Sequence, residues 1–280
     1  MKQKIKLFSP AFDNKEIRAA TKAIKSSLWA SGSGVGNVLE FEKKFKKLTK
    51  SNECVAVNNG TSALHLALNL LDIKNKQVLV PSLTFVSTVH AILYNGGIPI
   101  FVDVDPHDLC IDINDMRKKI TYKTKAMVPV HFAGMPCKIN EITQIAKEKS
   151  LRVVYDAAHA CGAKYDNNPV GSESDLVCFS FHPVKNLAMP KGGAITINSF
   201  LNESDRTVAR NHMLKTASSN MREAAKIGLQ SLYADPKEVL DKYKDFDIVK
   251  EMQARKGAKL LWVRARAIDA DTVNANGDYF

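Results

Sequence analysis

The sequence predicts an α/β fold, with a mostly parallel seven-stranded sheet lying between helices. Two observations predict it. Seven short runs rich in β-branched and apolar residues recur: CVAV (54–57), QVLV (77–80), IPIFVDV (98–104), KAMVPV (125–130), RVVY (152–155), LVCFSF (176–181) and GAITIN (193–198). They show no alternation of period two, as expected of strands buried on both faces. Between the earlier runs lie helical stretches such as TSALHLALNLL, FVSTVHAILY and INEITQIAKEKS, the last with apolar residues at 139, 142, 145 and 146. Strands alternating with helices build parallel sheets covered by helices, and such sheets gather their sites at the carboxyl ends of strands.

The segments on either side of this series read differently. Near the start, Asp13 and Glu16 form a capping box, and Ile17, Ala20 and Ile24 line one face of a first helix. ASGSGVGN (30–37) is a Gly/Ser-rich link to a second helix, whose buried face is marked by Phe41, Phe45 and Leu48. Past residue 212 the texture changes to helical patterns, one strand-like run LLWVRARAI and a polar end. The expected division is a large domain over 1–212, including the N-terminal helices, and an atypical segment over 213–280.

Composition narrows the function classes. With 280 residues and 45% hydrophobic content, the chain can bury a large core. No run approaches eighteen apolar residues, and the N-terminus lacks the apolar block of a signal peptide, so the expectation is a cytoplasmic protein with no membrane partner. Five scattered cysteines (54, 110, 137, 161 and 178) without a C-x-x-C pair suggest neither a disulfide framework nor a metal site. The net charge of +11 is spread along helices such as EFEKKFKKLTK, without basic blocks or interleaved aromatics. That pattern argues against nucleic acid and suits anionic small molecules.

One stretch needs chemistry to explain it. FSFHPVKNLAMPKGGAI (179–195) places Lys185 just past a buried strand. A partly desolvated lysine has a lowered pKa and supplies a neutral amine for Schiff-base formation. If its carbonyl partner is pyridoxal 5'-phosphate, the site also needs an anion cradle, a carboxylate for the pyridinium nitrogen and a flat partner for the ring.

Each has a candidate at a strand end. In NNGTSALHLAL (58–68), Gly60 permits a tight turn while Thr61 and Ser62 open a helix whose N-terminus can take an anion; an ordinary turn with a Thr or Ser cap is the alternative. There is no P-loop signature. In VVYDAAHACGA (153–163), Asp156 ends a buried run and His159 follows, Asp156 as a plain helix cap being the alternative. Phe85 could flank the ring or belong to the core, and Ser180 could donate to the phosphate or within its strand.

In this order the blocks resemble the fold type I pyridoxal-phosphate enzymes, and more closely the DegT-type sugar aminotransferases. NNGTSALHLAL, PSLTFVSTVHAILYNGGIPIFVDVDP, VPVHFAGMPC, VVYDAAHACGA and FSFHPVKNLAMPKGGAI carry the resemblance, which covers roughly residues 5–212. It implies a PLP-transferase large domain in which Lys185 attaches the cofactor and shuttles protons. Asp156 would pair with the ring nitrogen and Phe85 would stack on the ring. Gly60, Thr61, Ser62 and Ser180 would hold the phosphate, with His159 near the ring oxygen.

Relatives with histidine at the lysine position run a dehydration, so Lys185 implies amino transfer. The implied reaction turns the keto group of a nucleotide-linked sugar into an amine, usually with glutamate as donor, in a homodimer. The early SSLWASGSGVGNVLEFEKKF is similar to the family's substrate loop, which makes Ser31 and Gly32, with His182, candidate substrate residues.

The resemblance stops after ARNHM (209–213). The family's Gly-Tyr-Asn-Tyr-Arg-like segment and small C-terminal domain have no match, so that domain is expected to be incomplete or replaced. LLWVRARAIDADTVNANGDYF bears a faint similarity to the opening of phage prohead-protease or capsid-assembly sequences, which implies a fused, truncated or frameshifted reading frame. The competing functions are therefore another pyridoxal-phosphate reaction such as racemisation or elimination, a non-catalytic remnant of the fold, and a capsid-assembly protein.

Overall fold

A computed structural model of the chain describes residues 10–26, 36–173 and 175–198. Along these residues run α1 (Asn14–Lys25), α2 (Gly36–Thr49), β1 (Glu53–Val57), α3 (Gly60–Asn69), β2 (Gln77–Pro81), α4 (Val86–Tyr94), β3 (Ile98–Val102) and α5 (Ile113–Lys119). There follow β4 (Thr124–Met127), α6 (Ile139–Lys149), β5 (Arg152–Asp156), the short hairpin β6 (Lys164–Tyr165) and β7 (Asn168–Pro169), β8 (Leu176–Ser180) and β9 (Gly193–Ile197). All seven expected strands are present. The β6–β7 hairpin is additional to them, because strands of two residues leave no apolar run to read. The expected boundary after residue 212 and the segment 213–280 lie outside the described residues.

The seven strands form one sheet in the order β1-β9-β8-β5-β4-β2-β3. From β8 across to β3 every neighbouring pair is parallel, whereas β9 is antiparallel to both β1 and β8. The physical reason is the connection. Parallel neighbours need a crossover, usually a helix, while β8 and β9 are joined by the loop 181–192 and close as a hairpin. As a result, the carboxyl ends of six strands and the amino end of β9 meet at one edge.

Period-two alternation then sorts side chains by face. Val153, Tyr155, Val177 and Phe179 share a buried cluster with Phe45 of α2, Met116 of α5 and Ile139, Ile142 and Ile145 of α6. The intervening Val154, Asp156, Cys178 and Ser180 therefore take the opposite face. There α3 packs on β1, β5, β8 and β9, and α4 packs on β2 and β3.

The two outermost strands depart from the expectation of double burial. Ile98 and Phe101 of β3 are exposed, since β3 has a neighbour on one side alone. In α2, Leu48 is 55% exposed, and the buried positions are Glu42, Phe45 and Thr49. The expected capping box of α1 is present, Asp13 accepting from Lys15 N–H while Glu16 reaches back to the Asp13 amide at 2.7 Å. Its apolar stripe is exposed at Ile17 and Ile24. All five cysteines are free, and four are buried.

The burial of Glu42 has a cause. β1 is an edge strand, and an edge leaves backbone N–H groups without sheet partners. Glu42 Oε1 accepts the Ala56 N–H at 2.9 Å. Phe45 beside it packs edge-on against Phe179 and Phe181, with ring centroids 5.0 and 5.3 Å apart. The helix thus turns a carboxylate inward, at the expense of Leu48, to satisfy the strand. Glu42→Ala should lower unfolding stability by about 1–3 kcal/mol, the worth of a hydrogen bond to a charged acceptor, and Glu42→Gln should recover most of it. Urea denaturation of the three proteins measures this, and equal midpoints for wild type and Glu42→Ala would remove the edge-capping role.

Candidate active site

The edge where the strands end is assembled from four loops. The first joins β1 to α3. Asn59 is the N-cap of α3, its side chain accepting the Ser62 N–H at 2.7 Å. Thr61 and Ser62 are therefore not the cap, and their hydroxyls are released from that duty. The amides of Gly60 and Thr61, in the first turn, have no partner within the helix, so this N-terminus retains donors and a positive dipole end for an anion.

The second loop carries the lysine. Phe181 N–H donates to Gly192 O at 2.8 Å and Met189 N–H to Phe181 O at 2.7 Å, so the loop closes on itself at its base. At its tip, His182 O accepts from Lys185 N–H at 2.8 Å, a four-residue turn with Pro183 at its second position, where its fixed φ fits. Lys185 is half-buried. Burial pushes its pKa below the ordinary lysine value, with partial compensation from the negative charge of Asp156. His182 is exposed and its amide donates to Ser180 Oγ at 3.4 Å.

Two glycines let these loops touch. A Cβ on Gly60 would lie 2.8 Å from Ser180 Cβ, which sets the start of α3 directly against the end of β8. A Cβ on Gly193 would lie 2.5 Å from the backbone carbon and oxygen of Asn59. Gly193 is paired with both Val57 and Ser180 in the sheet, so it marks the seam between the cap and the lysine hairpin.

The third loop follows β5. Asp156 is 4% exposed. Its backbone is held on both sides: its N–H donates to Pro129 O at 2.9 Å and its O accepts from His131 N–H at 3.0 Å. Its side chain accepts from Thr88 Oγ1 at 2.8 Å and from the Ala158 amide at 3.1 Å. No helix follows β5, so the cap alternative for Asp156 does not hold; the Ala158 contact is a local turn. His159 is exposed. Its pKa lies below the usual histidine value, first through partial desolvation and then through the Lys185 charge, with Asp156 acting in the opposite sense. Asn186, next to Lys185, donates its side-chain amide to Cys161 O and so ties the second loop to the third.

The fourth loop follows β2. Phe85 is the N-cap residue of α4, with extended backbone, and is 73% exposed. A phenylalanine so open at a strand edge is not a core residue. The structure thus brings together Gly60, Thr61, Ser62, Phe85, Asp156, His159, Ser180 and Lys185 on one edge, the register having already put Asp156 and Ser180 on the α3/α4 face. Ser31 and Gly32 lie outside the described residues.

Sequence reasoning missed Asn59, Gly193, Thr84 and Thr88. Asn59 had a readable signal, an asparagine before a helix with Ser62 three residues on. Thr88 and Gly193 had none, because their partners Asp156 and Asn59 are remote in the chain.

Among the described residues no helix is long and apolar enough to cross a membrane, and no group of three or more metal-ligating side chains is found. Gly193→Ala should drive the Asn59 carbonyl back and cost about 1–3 kcal/mol, as overpacking does. Chemical denaturation reads it, and an unshifted midpoint would mean that the cap is free to retreat.

Comparison with known proteins fits this geometry. Residues 10–232 match the DegT/DnrJ/EryC1/StrS aminotransferase family. The chain is 38% identical over 195 residues to the GDP-perosamine synthase of Escherichia coli O157:H7, covering 69% of this chain and 53% of that protein. Among solved structures it is similar to the sugar aminotransferase CalS13 from Micromonospora echinospora, with a TM-score of 0.67, 28% identity, and coverage of 75% of this chain and 56% of that one. It is also similar to DesI solved in the presence of its TDP-sugar product, with a TM-score of 0.62, 33% identity, and coverage of 69% and 49%. The chain spans about half the length of the curated relatives it matches.

Proposed function

Because the chain belongs to the DegT/DnrJ/EryC1/StrS aminotransferase family, we propose that it binds pyridoxal phosphate and aminates the keto carbon of a nucleotide-linked sugar. In this reading the amino donor is an amino acid such as glutamate, and the enzyme works as a cytoplasmic homodimer. The observation that carries the reading is Lys185, half-buried, with its pKa lowered, and within electrostatic reach of the buried carboxylate of Asp156 at the edge that α3 enters by its N-terminus. A GDP-perosamine synthase among the relatives, and a related structure solved in the presence of a TDP-sugar product, support the substrate class.

The residues fit the cofactor chemically. Asp156 is a buried carboxylate whose two neutral donors, Thr88 and Ala158, leave acceptor capacity for a cationic ring N–H. Gly60 and Ser180 touch so closely that a methyl group would fill the space between them, which suits a cradle built from amides and hydroxyls. When bound, pyridoxal phosphate supplies an aldehyde carbon and an electron-withdrawing pyridinium ring.

The protein's part follows from its side chains. The Gly60 and Thr61 amides and the Thr61, Ser62 and Ser180 hydroxyls bind the phosphate. Phe85 offers a flat apolar face to the ring. Asp156 holds the proton on the ring nitrogen. His159, kept neutral near pH 7 by its lowered pKa, shares a hydrogen bond with the ring oxygen. The Lys185 amine, more often neutral than a surface lysine at the same pH, would hold the cofactor through its aldehyde carbon, the carbonyl oxygen leaving as water, and would carry the proton at the substrate carbon. His182, with Ser31 and Gly32, is assigned to the sugar.

The test is the visible spectrum of the full chain incubated with pyridoxal phosphate, before and after borohydride, alongside Lys185→Ala. A band that borohydride traps on Lys185, absent in the variant, is expected. Trapping should rise with pH and level off below the ordinary lysine pKa of about 10.4, because the neutral amine is the reacting form. No band from folded protein, or trapping on another lysine, would overturn the assignment. Turnover of keto sugar nucleotides with glutamate then separates an aminotransferase from a domain that binds the cofactor without catalysis.

A further inference from the structure

We infer that Thr84 and Thr88 form a hydroxyl relay that positions Asp156 toward the cofactor's ring nitrogen, Thr88 being a positioning residue for the reaction. This rests on the cofactor reading above. Thr88 lies in the first turn of α4, is fully buried, and has its Oγ1 2.8 Å from Asp156 Oδ2. The same oxygen lies 2.8 Å from Thr84 Oγ1.

The chemistry of these groups fixes the direction of the chain. A carboxylate is acceptor-only, so Thr88 spends its one hydrogen on Asp156. The Thr84 contact must then have Thr84 as donor and Thr88 as acceptor. Each hydroxyl in such a series polarises the next and strengthens the final bond to the carboxylate.

The relay also has a geometric effect. Thr84 and Thr88 bracket Phe85, and Thr88 N–H donates to Phe85 O at 3.1 Å. The aromatic that would cover the ring and the carboxylate that would meet its nitrogen are thereby referred to the same turn of backbone. With Oδ2 engaged by Thr88 and Oδ1 by the Ala158 amide, the plane of the Asp156 carboxylate is set. Among the described residues its backbone is anchored independently, by Pro129 and His131, so removal of the Thr88 hydroxyl should free the side chain and leave the strand in place.

The experiment compares the binding of two probes to the full-length chain: pyridoxal phosphate and the analogue in which CH replaces the ring nitrogen. Wild type should prefer pyridoxal phosphate by about tenfold or more, the scale of a charge-assisted hydrogen bond. Thr88→Val should reduce that preference to about threefold or less, Thr88→Ser should restore it, and Thr84→Val should give an intermediate value. A merely structural Thr88 would weaken both probes equally and leave the ratio intact.

A full ratio in Thr88→Val and Thr84→Val, with wild type still selective, would overturn the relay while leaving the cofactor reading standing. A wild type that does not discriminate between the probes would overturn the pairing of Asp156 with the ring nitrogen and the relay with it. Should Thr88→Val fail to fold, Thr84→Val decides, since it shortens the relay without opening the buried position.

Discussion

A carboxylate buried at the end of a central strand is the constraint on which the rest of this site depends. Taking Asp156 out of water is costly unless donors replace the lost hydration. The fold meets the need with two donors, the hydroxyl of Thr88 on α4 and the amide of Ala158 in the following turn, while Pro129 and His131 beyond β4 hold the Asp156 backbone in place. Those contacts dictate where α4 must begin, how the segment after β4 must run, and which way the chain turns after β5. The buried carboxylate and the loops around it therefore constrain one another.

The hairpin of β8 and β9 is the second determinant. By reversing at 181–192 instead of crossing over through a helix, the chain brings the lysine turn back over the same edge and places Gly193 between Val57 and Ser180. The absence of a side chain at Gly193 and Gly60 lets the start of α3, the end of β8 and the start of β9 approach within van der Waals contact. A helix N-terminus with free amides, a hydroxyl and a desolvated amine can converge because those two positions carry no Cβ. Asn186, bonded to Cys161 O, then links this group to the loop of His159.

The opposite edges of the sheet show how the same physics works away from the site. β1 lies outermost, and Glu42 reaches from α2 to cap its Ala56 amide. The inward face of α2 turns from the Phe41, Phe45 and Leu48 of the apolar pattern to Glu42, Phe45 and Thr49, so that a carboxylate meets the strand and Leu48 is exposed. β3, outermost on the other side, leaves Ile98 and Phe101 exposed.

Sequence alone determined the seven strands of the main sheet, their dominant direction, the inward face of α6 and the candidates for the reactive groups. Those features are local. A run of β-branched residues, an apolar period of 3.6 and a lysine beyond a strand are each legible within about ten residues. The blocks that resemble DegT-type enzymes pointed to the family, and the family match over residues 10–232 agrees with that. What tertiary structure decided is who faces whom. That β9 runs antiparallel, that Asn59 caps α3, that Thr88 meets Asp156 and that Gly193 meets Asn59 depend on partners remote in the chain. Glu42 makes the same point in reverse: a charged residue on a helix reads as solvated until the strand it caps is placed beside it. Hydrogen-bond satisfaction is settled by neighbours in space, and a sequence specifies its neighbours in space only once it has folded.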